Sequence, residues 1–251
     1  MTSNTGTGGA DAAGLQLGPH DDEPHGGGHG AMLNWLRAGV LGANDGIVST
    51  AGIVMGVAGA TSDRDTILIA GVAGLVAGAI SMAAGEYVSV STQRDTEQAL
   101  LHKERRELED EPEEELAELA GIYREKGLSE ETALKVAEEL TAHDALAAHA
   151  EAELGIDPDD LSNPWHAAWA SMIAFTVGAL LPLLTISLFP QGARTWATVV
   201  AVAVALALTG FVSARIGRAQ EGRAVARNVV GGLLAMGVTF LIGSLVGAGV
   251  G

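Results

Sequence analysis

Long apolar stretches alternate with short polar connections along this chain, and the pattern predicts transmembrane helices. Stretches of about 20 mostly apolar residues, enough to span a bilayer as a helix, lie at 166–188, 193–214 and 228–250. Two earlier stretches, 36–60 and 66–90, are equally apolar apart from one acidic residue each. We therefore predict an all-α polytopic membrane protein with five transmembrane helices.

Glycines recur at four-residue spacing inside these stretches, as at Gly42 and Gly46 and again at Gly243 and Gly247. In lipid, small residues at this spacing let helix backbones approach closely. The pattern predicts tight packing between the spans.

Charged residues are distributed unevenly along the chain, which has one strongly acidic segment and is otherwise apolar and nearly uncharged. The formal net charge is −17 over 251 residues, yet segment 94–160 holds 22 of the 31 acidic residues. This acidity argues against nucleic acid as a partner, because phosphates require a basic face. The absence of cysteine excludes a disulfide scaffold, an iron–sulfur site and thiolate zinc sites. No nucleophile–base arrangement, phosphate loop or nucleotide fingerprint is present, so we expect neither an enzyme nor an organic cofactor.

Four regions follow from this division. Residues 1–32 are a polar tail that contains His20, His25 and His29 and is too poor in apolar residues to fold alone. Two interpretations of the tail remain open: its histidines bind metal weakly, or it is a disordered segment without a binding site. Spans one and two occupy 33–93, an acidic helical insert 94–160, and spans three to five 161–251.

Basic residues predict the orientation of the spans, because loops on the cytoplasmic side are enriched in Lys and Arg near the span ends. Twelve of the fourteen basic residues precede span one, follow span two or separate spans four and five. Only Arg64 and Arg194 lie in the other two connections. We expect a multi-pass protein of the cell (inner) membrane, with the N-terminus and the insert in the cytoplasm and the C-terminus outside.

The insert is predicted to contain three helices. The first continues span two to residue 110, and the second begins at Pro112, where a proline is tolerated in the first turn, and ends at Gly127. Ser129 is a suitable N-cap for the third, which runs to Gly155.

Two acidic residues lie inside the predicted spans, where an ionisable side chain is costly and by default functional. Asp45 lies one third of the way along span one, and Glu86 lies late in span two, four residues after Met82 and on the same helix face. Carboxylates with a thioether suit a borderline divalent transition metal better than Mg²⁺ or Ca²⁺. The alternatives are that Glu86 reaches interfacial water and that Met82 is a packing residue.

The insert carries acidic pairs at helical spacing. Glu104 and Glu107 are three residues apart, as are Glu115 and Glu118, so each pair shares a helix face. Two such helices packed together would direct four carboxylates to one point, as in carboxylate-bridged iron sites. His149 and Glu153 could add an imidazole and a carboxylate. The alternative is a solvated acidic face.

Two motifs carry a resemblance. Leu41-Gly-Ala-Asn-Asp-Gly-Ile-Val-Ser49 in span one and Gly78-Ala-Ile-Ser-Met-Ala-Ala-Gly-Glu-Tyr-Val-Ser89 in span two resemble the vacuolar iron transporter (VIT-type) family, in its bacterial form. The resemblance covers about 33–251, and five spans with an acidic insert after the second also match.

The resemblance implies a homodimer formed through spans one and two that moves Fe²⁺, and often Mn²⁺, out of the cytoplasm in exchange for protons. The family's path residues fall on Asp45 and Met82. Its metal-binding glutamates in the insert fall around Pro112 and near the end of the third insert helix, on Glu104, Glu107, Glu115, Glu118 and Glu153. Plant relatives carry methionines where this chain has His149 and Ala150, so His149 is a candidate substitute ligand.

The sequence leaves two rival functions open. One is a membrane-anchored di-iron oxidase with ferritin-like chemistry in the insert, although the insert has no Glu-x-x-His ligand pair. The other is a metal sensor that does not transport. Both leave Asp45 and Glu86 without a role, so proton-coupled export of Fe²⁺ or Mn²⁺ is the preferred hypothesis.

Overall fold

The computed structural model describes residues 29–217 and 219–250, and within them the fold is entirely helical, with no strand. His20 and His25 lie outside this range, and the predicted boundary of the tail at residue 32 falls inside the first helix. The seven α-helices are α1 His29–Ala60, α2 Arg64–Asp110, α3 Pro112–Glu125, α4 Glu130–His149, α5 Pro164–Leu188, α6 Gln191–Ile216 and α7 Glu221–Val250.

Five of these helices, α1, α2, α5, α6 and α7, are long and apolar enough to cross a membrane. The predicted five-span, all-α architecture is therefore confirmed. Only the first 27 or so residues of α2 fall in the apolar stretch; its 47 residues extend about 70 Å at 1.5 Å per residue. Since no breaker interrupts it, α2 leaves the apolar bundle and becomes the first helix of the insert.

The ends of the insert helices follow their capping residues. Pro112 occupies the first turn of α3, and the Ser129 side chain accepts a hydrogen bond from the Thr132 amide at the start of α4. Glycine provides the left-handed backbone at both later breaks, with φ of 103° at Gly127 and 65° at Gly155. The three predicted helices of the insert are present.

The third insert helix is less regular than its sequence predicts. Asp144 has non-helical angles, φ −158° and ψ 98°, and its carboxylate accepts a hydrogen bond from the Ala147 amide, 3.0 Å away. It thereby caps the turn that follows. Beyond His149 the chain forms a π-helical turn, Ala150–Leu154. His149 thus lies between a kink and a π-turn, two features that re-aim side chains.

Helix α1 occupies the centre of the bundle, where glycines allow backbone contact. A methyl group at Gly46 would fall on the carbonyl of Phe175 in α5, and one at Gly243 in α7 would fall on the carbonyl of Gly56. On another side of α1, Ile47, Ala51 and Met55 form a buried cluster with residues of α6 and α7. The glycine spacing therefore marks true helix contacts.

The membrane part of α2 lies at the edge of the bundle. One of its faces packs on α1 and α5 through Ile67, Gly71 and Ala79, which are buried. Its other face exposes Ile69, Val72, Val76 and Ile80, each at least half exposed. An apolar row of this length must contact lipid or another chain.

Candidate functional site

The insert contains a cluster of three ligand-type side chains, one from each of its helices. Glu104 of α2, Glu115 of α3 and His149 of α4 each offer an atom within 4.8 Å of the others. His149 Nδ1 lies 2.9 Å from Glu104 Oε1 and 3.4 Å from Glu115 Oε2. All three side chains are buried, and His149 is fully inaccessible.

Polar atoms of this cluster lack hydrogen bonds. Both ring nitrogens of His149 and Oε1 of Glu104 are buried without a hydrogen-bond partner among the described side and main chains. The 2.9 Å approach of Nδ1 to Oε1 is therefore a close contact and is not counted as a hydrogen bond. Buried polar atoms are normally satisfied, and an unsatisfied one costs about 1–3 kcal/mol. Converging lone pairs without hydrogen bonds are what a cation site requires.

The protonation of the cluster reflects its burial. Burial, with the carboxylates of Glu153, Glu115 and Glu107 adding repulsion, raises the pKa of Glu104 to about 7. Burial also raises the pKa of Glu115, with Glu118 the next cause. For His149 burial lowers the pKa, opposed by Glu118. At neutral pH the imidazole is therefore a neutral ligand, while Glu104 is partly protonated and carries a proton that a metal can displace.

The remaining candidate glutamates form an outer group. Glu118 is exposed, and Glu107 is partly exposed and held by Lys103, whose Nζ lies 2.6 Å from its Oε2. Glu153 is exposed, yet desolvation and then Glu118 raise its pKa. These three carboxylates surround the cluster electrostatically. Only one glutamate of each three-apart pair points into the cluster.

The local fold explains this division. Glu104 follows Leu101 on the buried face of α2, and Glu115 precedes Leu119 by one turn on α3. Both leucines are buried, as are Ala133 and Ala137 of α4. The carboxylates that share their faces are drawn inward, whereas Glu107 and Glu118 point toward the rim.

Asp45 lies in the first span, partly buried. Its Oδ1 accepts a hydrogen bond from Ser49 Oγ on the next turn, at 2.5 Å. Gly46, the next residue, packs on the backbone of Phe175 in α5, so the chain beside Asp45 is in close contact with that helix. The four-residue spacing of Asp45 and Ser49 could have predicted this pair from the sequence.

Glu86 is 8% exposed and lies on α2, beside the start of the first span. Its Oε2 is 3.9 Å from Nη2 of Arg37 and has no hydrogen bond within the described structure. One residue later the ring of Tyr87 packs on that of Trp165, with centroids 4.8 Å apart. Exposed tryptophan and its neighbouring tyrosine are typical of the membrane interface, so Glu86 lies at that level.

Met82 lies one turn from Glu86 toward the membrane centre. It packs against the cluster of Ala79, Phe175 and Ala179. The ring of Phe175 would also meet a side chain at Gly78, while its backbone meets Gly46. Glu86 and Met82 are thus one helical turn, about 6 Å, apart along α2. Asp45 precedes Gly46, which packs on the same Phe175 that Met82 contacts.

Two residues that contact the candidate site residues were not predicted from the sequence. Arg37 contacts Glu86 across two helices, and Lys103 holds Glu107 within one helix. The four-residue spacing of Lys103 and Glu107 is a signal that could have been used. For Arg37 no sequence signal exists, because the contact depends on how α1 and α2 pack.

These features define a class: a polytopic α-helical membrane protein with acidic residues inside its spans and a buried carboxylate–imidazole cluster in a helical insert. The sequence model of the VIT family matches residues 36–244. The chain belongs to that family. Its members are transporters, so this protein is a membrane transporter and not an enzyme.

Relatives match most of the chain. It is 44% identical over 212 residues to a vacuolar iron transporter of Acanthamoeba castellanii, covering 84% of this chain and 78% of the relative. It is 41% identical over 211 residues to vacuolar iron transporter homolog 5 of Oryza sativa, with 84% and 79% covered. Vacuolar iron transporter homolog 2 of Arabidopsis thaliana is 37% identical over 214 residues, with 85% of each chain covered.

Proposed function

We propose that this protein exports Fe²⁺, and also Mn²⁺, from the cytoplasm in exchange for protons. The observation that carries the proposal is the buried cluster of Glu104, Glu115 and His149 with its unsatisfied ligand atoms. Glu104 lies on α2, the helix that continues a membrane span into the insert. Relatives named as iron transporters support iron as the substrate.

In this proposal the insert lies in the cytoplasm and collects the metal. Two carboxylates and a neutral imidazole suit a borderline divalent ion, because all-oxygen shells are what Mg²⁺ and Ca²⁺ prefer. His149 provides the nitrogen ligand. Glu107, Glu118 and Glu153 attract cations toward the cluster and balance their charge.

The path across the membrane then runs through Glu86, Met82 and Asp45. Glu86 receives the ion at the interfacial level, Met82 offers a soft thioether, and Asp45 binds it at greater depth. Binding at a carboxylate requires its deprotonated form, so arrival of the metal releases a proton and protonation releases the metal. This exchange couples the two fluxes. In the homodimer we propose, the exposed face of α2 packs against spans one and two of the second copy.

The test is transport into liposomes that contain purified protein and a metal-sensitive dye. Addition of Fe²⁺ or Mn²⁺ with an opposing proton gradient should give saturable uptake and a matching change in internal pH. Met82→Ala should slow the flux and shift the ranking of metals, because a thioether favours softer ions. Metal binding without flux would instead support a sensor, and oxygen-dependent Fe²⁺ oxidation without flux would support the oxidase.

A further inference from the structure

Arg37 stands beside the proposed path without being part of it. Its Nη2 is 3.9 Å from Oε2 of Glu86, too far for a hydrogen bond, and its side chain is 58% exposed whereas that of Glu86 is 8% exposed. A buried carboxylate without a cation is costly, so the guanidinium stabilises Glu86 when no metal is present. The pair is loose, because neither bidentate contact nor burial of the guanidinium holds it.

The same arginine lines a cavity of about 390 Å³ between α1, α6 and α7. The polar lining of this cavity comes from Arg37, Asn44, Ser213 and Asn228, and Gly217 at the end of α6 closes one side. A helix C-terminus carries partial negative charge on its free carbonyls, which favours a cation there. Ser213 and Asn228, which line the cavity, have side-chain oxygens that can accept hydrogen bonds. With the negative end of α6, these side chains provide a guanidinium with acceptors.

We propose that Arg37 is a mobile counter-cation for the path, pairing with Glu86 when the path is empty and withdrawing into this cavity when a metal ion binds Glu86. This proposal rests on the proposed function, because it assumes that the transported metal ion binds Glu86. Arg37 is a positioning residue in this scheme, since it acts through Glu86.

The physical basis is competition for one carboxylate. A divalent ion at Glu86 repels the guanidinium and attracts the carboxylate more strongly than a single positive charge does. Arg37 then needs another set of acceptors, and it already lines a cavity that provides them. A monovalent cation gains much less at Glu86, so the arrangement also favours divalent ions over monovalent ones.

The position of Arg37 can be followed by cysteine labelling, because the chain has no native cysteine. In full-length Ser213→Cys in lipid nanodiscs, Mn²⁺ should slow alkylation by a neutral maleimide several-fold, as the guanidinium fills the cavity. Adding Arg37→Gln or Glu86→Gln should remove this protection. A Thr195→Cys probe in the separate cavity beside Trp196 should not respond to Mn²⁺. Protection that is absent, or that persists without Arg37, would overturn the proposal.

Transport kinetics provide the second measurement. Arg37→Gln should lower the KM for Mn²⁺ about three- to ten-fold, because the metal no longer displaces a cation from Glu86. Arg215→Gln is the matched control: it removes a positive charge next to the same cavity wall, from a side chain 69% exposed and paired with Glu221, and should leave KM unchanged. An unchanged KM in Arg37→Gln, or a lower Vmax alone, would mean a merely structural ion pair.

The two proposals fail in different ways. If wild-type liposomes take up no metal, the proposed function is wrong, while the labelling experiment still decides whether Arg37 moves. If wild type transports and either Arg37 measurement is negative, the counter-cation proposal is wrong and the proposed function stands.

Discussion

His149 Nδ1 lies 2.9 Å from Glu104 Oε1, although the two residues come from different helices and are separated by 45 positions in the chain. The contact is buried, and neither atom has a hydrogen-bond partner among the described residues. A neutral imidazole and a carboxyl group without hydrogen-bond partners have lone pairs that are free to coordinate a cation.

Removing these ligands should abolish tight binding in the insert. We expect His149→Ala and Glu104→Gln each to weaken Mn²⁺ binding by about ten-fold or more, since even outer-shell changes at metal sites cost about 10–100-fold. Calorimetry on full-length protein in detergent measures this. Glu139→Gln is the control, because Glu139 is 73% exposed and, among the described residues, forms an ion pair with Lys135 alone. An equal loss of Mn²⁺ affinity in Glu139→Gln would mean that the overall negative charge of the insert binds the metal, and not a specific site.

Metal binding to the insert should release protons in a pH-dependent way. The pKa of Glu104 is raised to about 7, and those of Glu115 and Glu153 are raised too, so between their ordinary range and about pH 7 the empty cluster holds protons. The lowered pKa of His149 reduces the share of these protons that the imidazole contributes. We expect more protons released per Mn²⁺ at about pH 6 than at about pH 8.

Calorimetry in buffers of different ionisation enthalpy counts these protons, and Glu104→Gln should reduce the count.

The same pKa shifts predict how the stability of the empty insert depends on pH. Because the folded-state pKa values of the carboxyls are raised, the empty insert loses stability as pH rises through that window, and bound metal should restore it. Proton release independent of pH would contradict the assigned protonation.

Neutralising Asp45 should stop transport without unfolding the protein. Asp45→Asn keeps the size of the side chain and its ability to accept a hydrogen bond from Ser49, but removes its negative charge and its titration. We expect proton-coupled flux in liposomes to fall to background, with metal binding by the insert unchanged. Asp65→Asn is the matched control, because Asp65 is an exposed acid in the first turn of α2. If Asp45→Asn transports at the wild-type rate, Asp45 has a structural role and does not take part in transport.

Close helix contact at Gly46 should be sensitive to one methyl group. Gly46→Ala places its Cβ on the backbone of Phe175, which cannot move aside as a side chain would. We expect a loss of about 1–3 kcal/mol, seen as a lower Tm in detergent. Gly39→Ala on the same helix meets nothing within 4 Å and should be neutral or slightly stabilising. Equal Tm values for the two variants would mean that α1 and α5 are not in backbone contact.

The orientation of the spans can be tested directly. Twelve of fourteen basic residues lie in connections that this assignment places in the cytoplasm, so residue 251 should lie outside and residue 127 inside. A reporter active only outside the cytoplasm should therefore work when fused at 251 and fail when inserted at 127. The reverse pattern would invert both the topology and the direction of transport.

Much of the fold was predictable from the sequence, because it depends on local properties. The apolar length of each span and the breakers at Pro112, Gly127 and Gly155 determine where helices begin and end, whatever packs against them. The extra cost of a charge in lipid likewise marks Asp45 from its surroundings alone.

Only the tertiary structure decided which candidates act together. Spacing assigns Glu104 and Glu107 to one helix face, but the core leucines and the neighbouring helices determine that Glu104 is buried beside His149 while Glu107 turns to Lys103. The kink at Asp144 and the π-turn after His149 alter a helical register that a periodic pattern takes as regular. The Arg37–Glu86 pair has the same origin, because desolvation and pairing depend on atoms that are close in space and distant in sequence.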